Sequence, residues 1–420
     1  MKRMTDDRPA PASSLLRNRF VQTIVISTLF LEIGIWVRNI AILLYVKHMT
    51  NDDAFAVSLI SVAEFAPIFA FSFVGGALAD RWRPKRTMVG SDLLSAASIL
   101  AILAAMALGS WRAVFFATLV SSILSQFSQP ASMKLFKLYV PERLLQKAMS
   151  LHQTMFAVFM IFGPVIGMFV YQRFGIETSI GIMGIAFLLS AATLSLLPRE
   201  RREAETQERR SVREDIRAGF AYIRSSPVLR KLGGGFFAVG FGLGLIQPMG
   251  IFLITERLGR PEEALQWFSL VNGAAMVVGG VLAMAFASKI APAKLMTSSM
   301  AIVGLTIMGM GLTTNYTAAL AFQFASGLVI PSVNAGINTL MLQHTEDAFL
   351  GRVNGFLSPL FTGSMVVTMM LSSVVMTALS LVSVYVLAGL FILAGAVVLL
   401  PLIKLKAAAA KPELENALGG

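Results

Sequence analysis

The sequence predicts an all-α membrane protein whose twelve transmembrane helices form two pseudo-symmetric six-helix bundles. Three observations carry that expectation. Of the 420 residues, 56% are hydrophobic and only 14% charged, and the mean hydropathy is +0.72, outside the range of soluble globular domains. Apolar stretches of about 20 residues, the length a helix needs to cross a bilayer core, recur along the chain. The segment Gly75 to Arg86, a glycine pair followed by an aspartate and four cations, returns in worn form at Gly279 to Lys289. The aspartate has there become Met284.

The first six apolar stretches fall near 20–46, 54–79, 87–108, 113–138, 145–171 and 177–197, and the second six near 232–255, 264–288, 294–312, 315–341, 353–380 and 383–403. With the amino terminus inside, Arg81, Arg83, Lys85 and Arg86 share one cytoplasmic loop, and Arg143 and Lys147 lie in the next. The opposite side receives chiefly Lys47, Arg112, Arg173, Arg257 and Arg260, as the positive-inside rule requires. Both termini are therefore expected in the cytoplasm. The predicted divisions are an N-terminal bundle at 1–198, a linker at 199–231, a C-terminal bundle at 232–404 and an unstructured tail at 405–420. The linker is dense in Arg and Glu, then amphipathic around Ile216, Phe220, Tyr222, Ile223 and Val228. It reads either as a helix along the membrane surface or between the halves, or as a solvated connector.

Several function classes drop out. There is no cysteine, and His48, His152 and His344 are too far apart in sequence for a local metal motif. No phosphate-binding Gly-rich loop ending in Lys-Ser/Thr occurs, so the chain is not built to hydrolyse a nucleotide. Uphill transport would then draw on an ion gradient. No nucleophile with a base can be assembled, which argues against an enzyme, and no cofactor is expected. A net charge of +12 sits in connectors instead of on a patterned face, which points to membrane topology and not to nucleic acid. The basic amino terminus has no small-residue cleavage site and reads as a retained tail.

Two six-span halves, a polar central linker and Gly75 to Arg86 after span 2 together resemble the major facilitator superfamily. Val89 to Leu94 opening span 3, Gln129-Pro130-Ala131, Val140-Pro141-Glu142 and Leu350-Gly351-Arg352-Val353 resemble its macrolide-efflux-like drug exporters. A second internal echo, Pro141 to Lys147 against Glu346 to Arg352, has nearly the same separation as the first. The resemblance implies the major facilitator fold and a gating role for Gly75, Gly76, Asp80, Arg81 and Arg86. The glycines would let span 2 pack on a span of the other half, and the charges would hold the cytoplasmic side closed. Asp92, about one turn into span 3, is expected to complete that charge cluster.

Ionisable residues deep in a span are costly and default to functional hypotheses. Span 1 supplies Glu32 and Arg38, and span 2 supplies Glu64. At about 1.5 Å of rise per residue, Arg38 and Glu64 both lie roughly 12 to 15 Å below the outer surface, and Glu32 lies deeper. Arg38 and Glu64 are thus expected to form an ion pair, with Glu32 left without a charged partner. A carboxyl held in apolar surroundings without a cation can load and release protons near neutral pH. Glu32 is the leading proton carrier and Glu64 the second, against the alternative that all three charges merely tie spans 1 and 2 together. Many proton-coupled drug exporters of the resembled family carry an arginine in span 4, where this chain has Ser121; either Arg38 substitutes for it from span 1 or the protein is not proton-coupled.

For a substrate cavity, span 4 offers Ser125, Gln126 and Gln129, and span 10 offers Gln323, Asn334 and Asn338, with Gln247 and Asn272 in spans 7 and 8. Neutral polar stripes also glue helices together. Asn39 shares a face with Glu32 to within about 20°. Met155 and Phe159 in span 5 present deformable apolar surface suited to varied lipophilic molecules. Also in span 5, Gly163-Pro164-Val165-Ile166-Gly167 resembles the Gly-Pro element of antiporters, where proline frees a backbone bond and glycines permit close packing.

The resemblance implies a bacterial inner-membrane exporter of lipophilic or amphiphilic compounds, such as macrolides, driven by proton antiport with alternating access. Its partners would be a small lipophilic substrate, protons and membrane lipid, and it could work as a monomer. Two alternatives stand beside it: a dedicated exporter of an endogenous metabolite such as a siderophore, and a lysophospholipid transporter without proton coupling.

Overall fold

The computed structural model describes residues 18–72, 83–140, 142–198, 212–287 and 289–403. Among these the regular elements are helices, and the chain divides into two compact units, Met1–Glu208 and Arg209–Gly420. Unit 1 holds α1 (Arg19–Met49), α2 (Ala54–Ser72), α3 (Pro84–Ala107), α4 (Trp111–Tyr139) and α5 (Glu142–Ser195). Unit 2 holds α6 (Val212–Ser225), α7 (Pro227–Ile246), the short α8 (Gly250–Phe252) running into a wide π turn at Leu253–Arg257, α9 (Ala264–Ala287), α10 (Pro292–Leu312), α11 (Tyr316–Gln343), α12 (Asp347–Ala378) and α13 (Leu381–Ile403).

Local chemistry starts and stops these helices where the sequence marks them. The Asn18 side chain accepts from the backbone of Phe20 at 2.9 Å and opens α1, while Ser226 and Asn315 cap α7 and α11 in the same way. Pro84, Pro227 and Pro292 open α3, α7 and α10, where a missing N–H costs nothing. The 54-residue α5 is broken at Gly175, whose φ of 75° and ψ of 179° suit a residue without Cβ. Its two limbs are spans 5 and 6. Among the described residues, ten helices are long and apolar enough to cross a membrane. The expected twelve would require α5 to count as two spans divided at Gly175 and α4, whose described apolar stretch Trp111–Phe127 is shorter, to count as one.

The two units pack by one plan. In unit 1, α2 lies on α4, α3 on α4, α5 on α3, and α1 on α5. In unit 2, α9 lies on α11, α10 on α11, α13 on α10, and α7 on both α12 and α13. Each contact of the first set has its counterpart in the second, as a duplicated unit requires. The echo glycine Gly279 shows what the small residue is for in unit 2. A Cβ there would fall against the Leu328 backbone carbonyl of α11, so α9 touches α11 backbone to backbone. Its partner in the repeat, Gly75, and with it Gly76, Asp80 and Arg81, lie outside the described residues.

The amphipathic linker segment is a helix, α6, and it belongs to unit 2. Tyr222 stacks on Phe349 with centroids 4.4 Å apart and its hydroxyl accepts from the Glu346 backbone at 3.1 Å. Phe220 packs beside Phe356 of α12, and Gly219 lies under the Arg352 carbonyl. Through these contacts α6 lies along the start of α12, with Phe220 still 48% exposed.

Candidate functional site

In unit 1 the buried Arg38 side chain crosses from α1 to α4. Its Nη1 donates to Ser121 Oγ at 2.9 Å and its Nε to Asn39 Oδ1 at 3.0 Å. The expected ion pair with Glu64 is not formed: the two charges attract one another without touching, and both direct partners of the guanidinium are neutral. Reckoning depth along each helix placed Arg38 and Glu64 at one level, but depth says nothing about direction around the helix axis. The guanidinium turns instead to Ser121, the α4 position at which the resembled exporters carry their own arginine. Asn39 is correspondingly engaged in holding Arg38.

Glu32 is half-buried in α1 and has no cation among its partners. One turn further on along the same helical face, the Trp36 side chain lies beside its carboxyl. Trp36 also meets the glycine-proline element of span 5. A Cβ on Gly163 would fall inside the Trp36 indole, and one on Gly167 would lie 2.7 Å from the Trp36 carbonyl and 2.9 Å from Ile40. Glu32, Trp36, Gly163 and Gly167 therefore form one contiguous contact between α1 and α5, with Pro164 inside the helix at that level.

Asp92 is 2% exposed, and its hydrogen-bond partner among the described residues is a hydroxyl, not a loop cation. Ser190 Oγ of the second α5 limb donates to Asp92 Oδ2 at 2.6 Å, and Ser27 Oγ of α1 lies 2.7 Å from Ser190 Oγ. With the Ser190 proton committed to Asp92, Ser27 donates to Ser190, and three helices are joined by one short chain. Of the loop cations that are described, Lys85 donates to the Ser195 carbonyl at 2.8 Å and to the Leu197 carbonyl, capping the end of span 6, and Arg86 is exposed.

The polar residues of α4 are largely turned back on their own helix. Ser125 donates to the Ser121 carbonyl at 3.0 Å and Gln126 to the Ser122 carbonyl at 3.5 Å; the Gln129 side chain lies outside the described residues. Phe159 is buried within unit 1 and Met155 half-buried.

Unit 2 differs. All six of its spans line a cavity of about 520 Å³, walled by apolar residues such as Phe236, Met296, Met300, Ile330 and Phe361. Gln247, Asn272, Gln323, Asn334 and Asn338 all line it, which brings together the amides that sequence reasoning had placed on three separate spans. Asn354 joins them from the start of α12; it stands just past the Leu350 to Val353 motif, and only its amide side chain in an apolar run could have marked it. Gly327 makes room for Asn272, since a Cβ there would lie 2.7 Å from Asn272 Oδ1. Among the described residues, no group of three His, Cys, Asp or Glu is arranged to hold a metal ion.

A helical membrane chain of two like-packed units, with charges held inside one and an amide-lined cavity inside the other, has the build of a secondary transporter. The chain matches the family model described as Major Facilitator Superfamily over residues 24–259 and 232–418. It belongs to that superfamily and is an integral membrane transporter. It is 27% identical over 358 residues to the uncharacterised MFS-type transporter YkuC of Bacillus subtilis, covering 82% of this chain and 83% of that one. Macrolide efflux protein A of Streptococcus pyogenes is 25% identical over 80% of this chain and 84% of its own. The multidrug efflux pump Tap of Mycolicibacterium fortuitum is 28% identical over 55% and 58%. Among solved structures, the nucleoside transporter NupG aligns with a TM-score of 0.70 at 14% identity, covering 92% of this chain and 99% of that chain. A bacterial homologue of the human lysosomal transporter Spinster, captured inward-facing, aligns at 0.65 and 14%, covering 92% and 96%. At that identity these two likenesses speak for the fold alone.

Proposed function

We propose that the protein exports lipophilic or amphiphilic compounds across the bacterial cytoplasmic membrane by proton antiport, with both termini cytoplasmic. The observation that carries the coupling is the reach of Arg38 from α1 to Ser121 of α4. It supplies a buried cation at the α4 position where the resembled exporters carry one, within electrostatic range of Glu64. Glu32, without a cation and in contact with Trp36 against the Gly163-Pro164 element, is the proton carrier. Loading and releasing its proton alters the charge at the very surface where α1 and span 5 slide. Glu64 is the second carrier. The names of the relatives, macrolide efflux protein A and multidrug efflux pump Tap, favour export of drug-like molecules over uptake.

The test is accumulation of a radiolabelled macrolide in liposomes containing the purified chain under an imposed proton gradient. Glu32→Gln is expected to abolish gradient-driven accumulation and Glu64→Gln to reduce it, with folding intact in both. Accumulation by the wild type that ignores the gradient would rule out antiport.

A further inference from the structure

Beyond the first turns of α7, α10 and α12, which carry Arg230, Lys231, Lys294, Asp347 and Arg352, the spans of unit 2 contain no Asp, Glu, Lys, Arg or His: the runs 232–255, 264–287, 295–312, 316–343 and 353–403 are free of them. The cavity they enclose is nonetheless polar in places. Gln247, Asn334, Asn338 and Asn354 are exposed to it and Gln323 half-exposed, and the side chains of these five amides make no hydrogen bond to another described residue. Asn272 reaches only the Met276 sulfur, at 3.8 Å. Amides that face a cavity and spend their hydrogen bonds on no described side chain keep both donors and acceptors for water or for a ligand that displaces it.

Their placement is regular. Gln323, Asn334 and Asn338 follow one another on a single face of α11, spread over about 22 Å along its axis. Asn354 of α12 stands towards the Asn338 end and Gln247 of α7 towards the Gln323 end. The result is a track of neutral amides through an apolar chamber of about 520 Å³, a volume within the range of drug-sized sites.

We infer that this cavity recognises an uncharged, hydrogen-bonding region of the transported molecule, one bearing carbonyl, ether, hydroxyl or amide groups on an apolar frame, and discriminates against a formal charge placed there. The physical basis is an asymmetry of cost. A neutral carbonyl or hydroxyl entering the chamber exchanges water for an amide partner, which is close to balanced. A cation or anion entering it finds no counter-ion among the lining residues and loses its hydration without compensation. Ion recognition and ligand recognition are thereby kept in different halves of the chain. This inference rests on the reading of the protein as an exporter of amphiphiles and gives that reading a substrate chemistry.

The test compares two dyes that share one fused ring system, Nile red, which is neutral with a ring carbonyl, and Nile blue, whose ring carries a cationic amino group instead. Saturable binding to the full chain in nanodiscs of zwitterionic lipid is measured over empty discs, with no proton gradient. Nile red is expected to bind about tenfold more tightly than Nile blue. The double substitution Gln323→Ala with Asn334→Ala should weaken Nile red binding by about five- to tenfold. Asn338→Asp, nearly isosteric at an exposed position, should reverse the dye preference; Asn338→Ser, with weakened Nile red binding, is the second variant if the aspartate does not fold. Equal affinities, no saturable Nile red binding, or a preference untouched by these substitutions would overturn the inference. Failure of proton coupling leaves the dye ratio unchanged, so the two ideas can fall separately.

Discussion

The interiors of the two units share a packing plan and share almost no chemistry. Unit 1 holds Glu32, Arg38, Glu64 and Asp92 inside its spans, with Arg38 tied by Ser121 and Asn39 and Asp92 by Ser190 and Ser27. Unit 2 has no ionisable side chain apart from tyrosines beyond the first turns of its spans, and presents amides to an apolar chamber. Counted from the proline that opens α3 and α10, Asp92 corresponds to Met300; counted back from the glycine pair of each repeat, Glu64 corresponds to Phe268. Packing and chemistry have therefore diverged at different rates since duplication. Contacts between backbones tolerate no change of size, whereas a side chain facing an internal space can change polarity once its partners change with it.

Two substitutions that probe the common plan should have the largest effects. Gly163→Val drives a side chain into the Trp36 indole, and Gly244→Val drives one into the Met365 carbonyl and the Thr368 hydroxyl on α12. Each should lower stability by about 3 kcal/mol, the upper end of the cost of overpacking, read as the thermal unfolding temperature of the purified chain in detergent. If either glycine accepts valine without loss, the close α1–α5 and α7–α12 contacts are not equivalent and the comparison breaks there. The next effect tests the divergence. Met300, 2% exposed, has no serine pair like Ser190 and Ser27 beside it, so Met300→Asp should cost about 2 to 3 kcal/mol in the same assay. An aspartate accepted at Met300 without loss would mean that unit 2 can host the chemistry of unit 1.

How much of this was legible in the chain depends on whether the signal is local. Spans, caps and the break at Gly175 follow from runs of apolar residues, prolines and one glycine, and the repeat is written in Gly75-Gly76 and Gly279-Gly280. The amides of α11 were legible because a polar stripe on one helical face is periodic. The partners of charges were not. Ser190 and Asp92 are 98 residues apart, and one serine among many carries no mark of its neighbour. Arg38 illustrates the limit: its presence in a span announced importance, but the choice between Glu64 and Ser121 depends on how α1, α2 and α4 are rotated. Trp36 carries no mark in the sequence for a similar reason, since an aromatic residue in an apolar helix resembles every other until the glycines opposite it are known.

The smallest expected effects lie in the hydroxyl chain, and they decide what Asp92 contributes to the asymmetry. Ser190 donates to a carboxyl, a charge-assisted bond when Asp92 is ionised, whereas Ser27 donates to another hydroxyl. Ser190→Ala should therefore cost about 1.5 to 3 kcal/mol, and Ser27→Ala only about 0.5 to 1.5 kcal/mol. If the chain acts as a unit, Ser190→Ala in an Asp92→Asn background should cost less than in the wild type, because the amide no longer offers the charge that strengthens the bond. Thermal unfolding of the four proteins measures that coupling. Strict additivity would mean that Asp92 carries no charge in the folded protein, and that unit 1 holds one buried ion fewer than its sequence suggests.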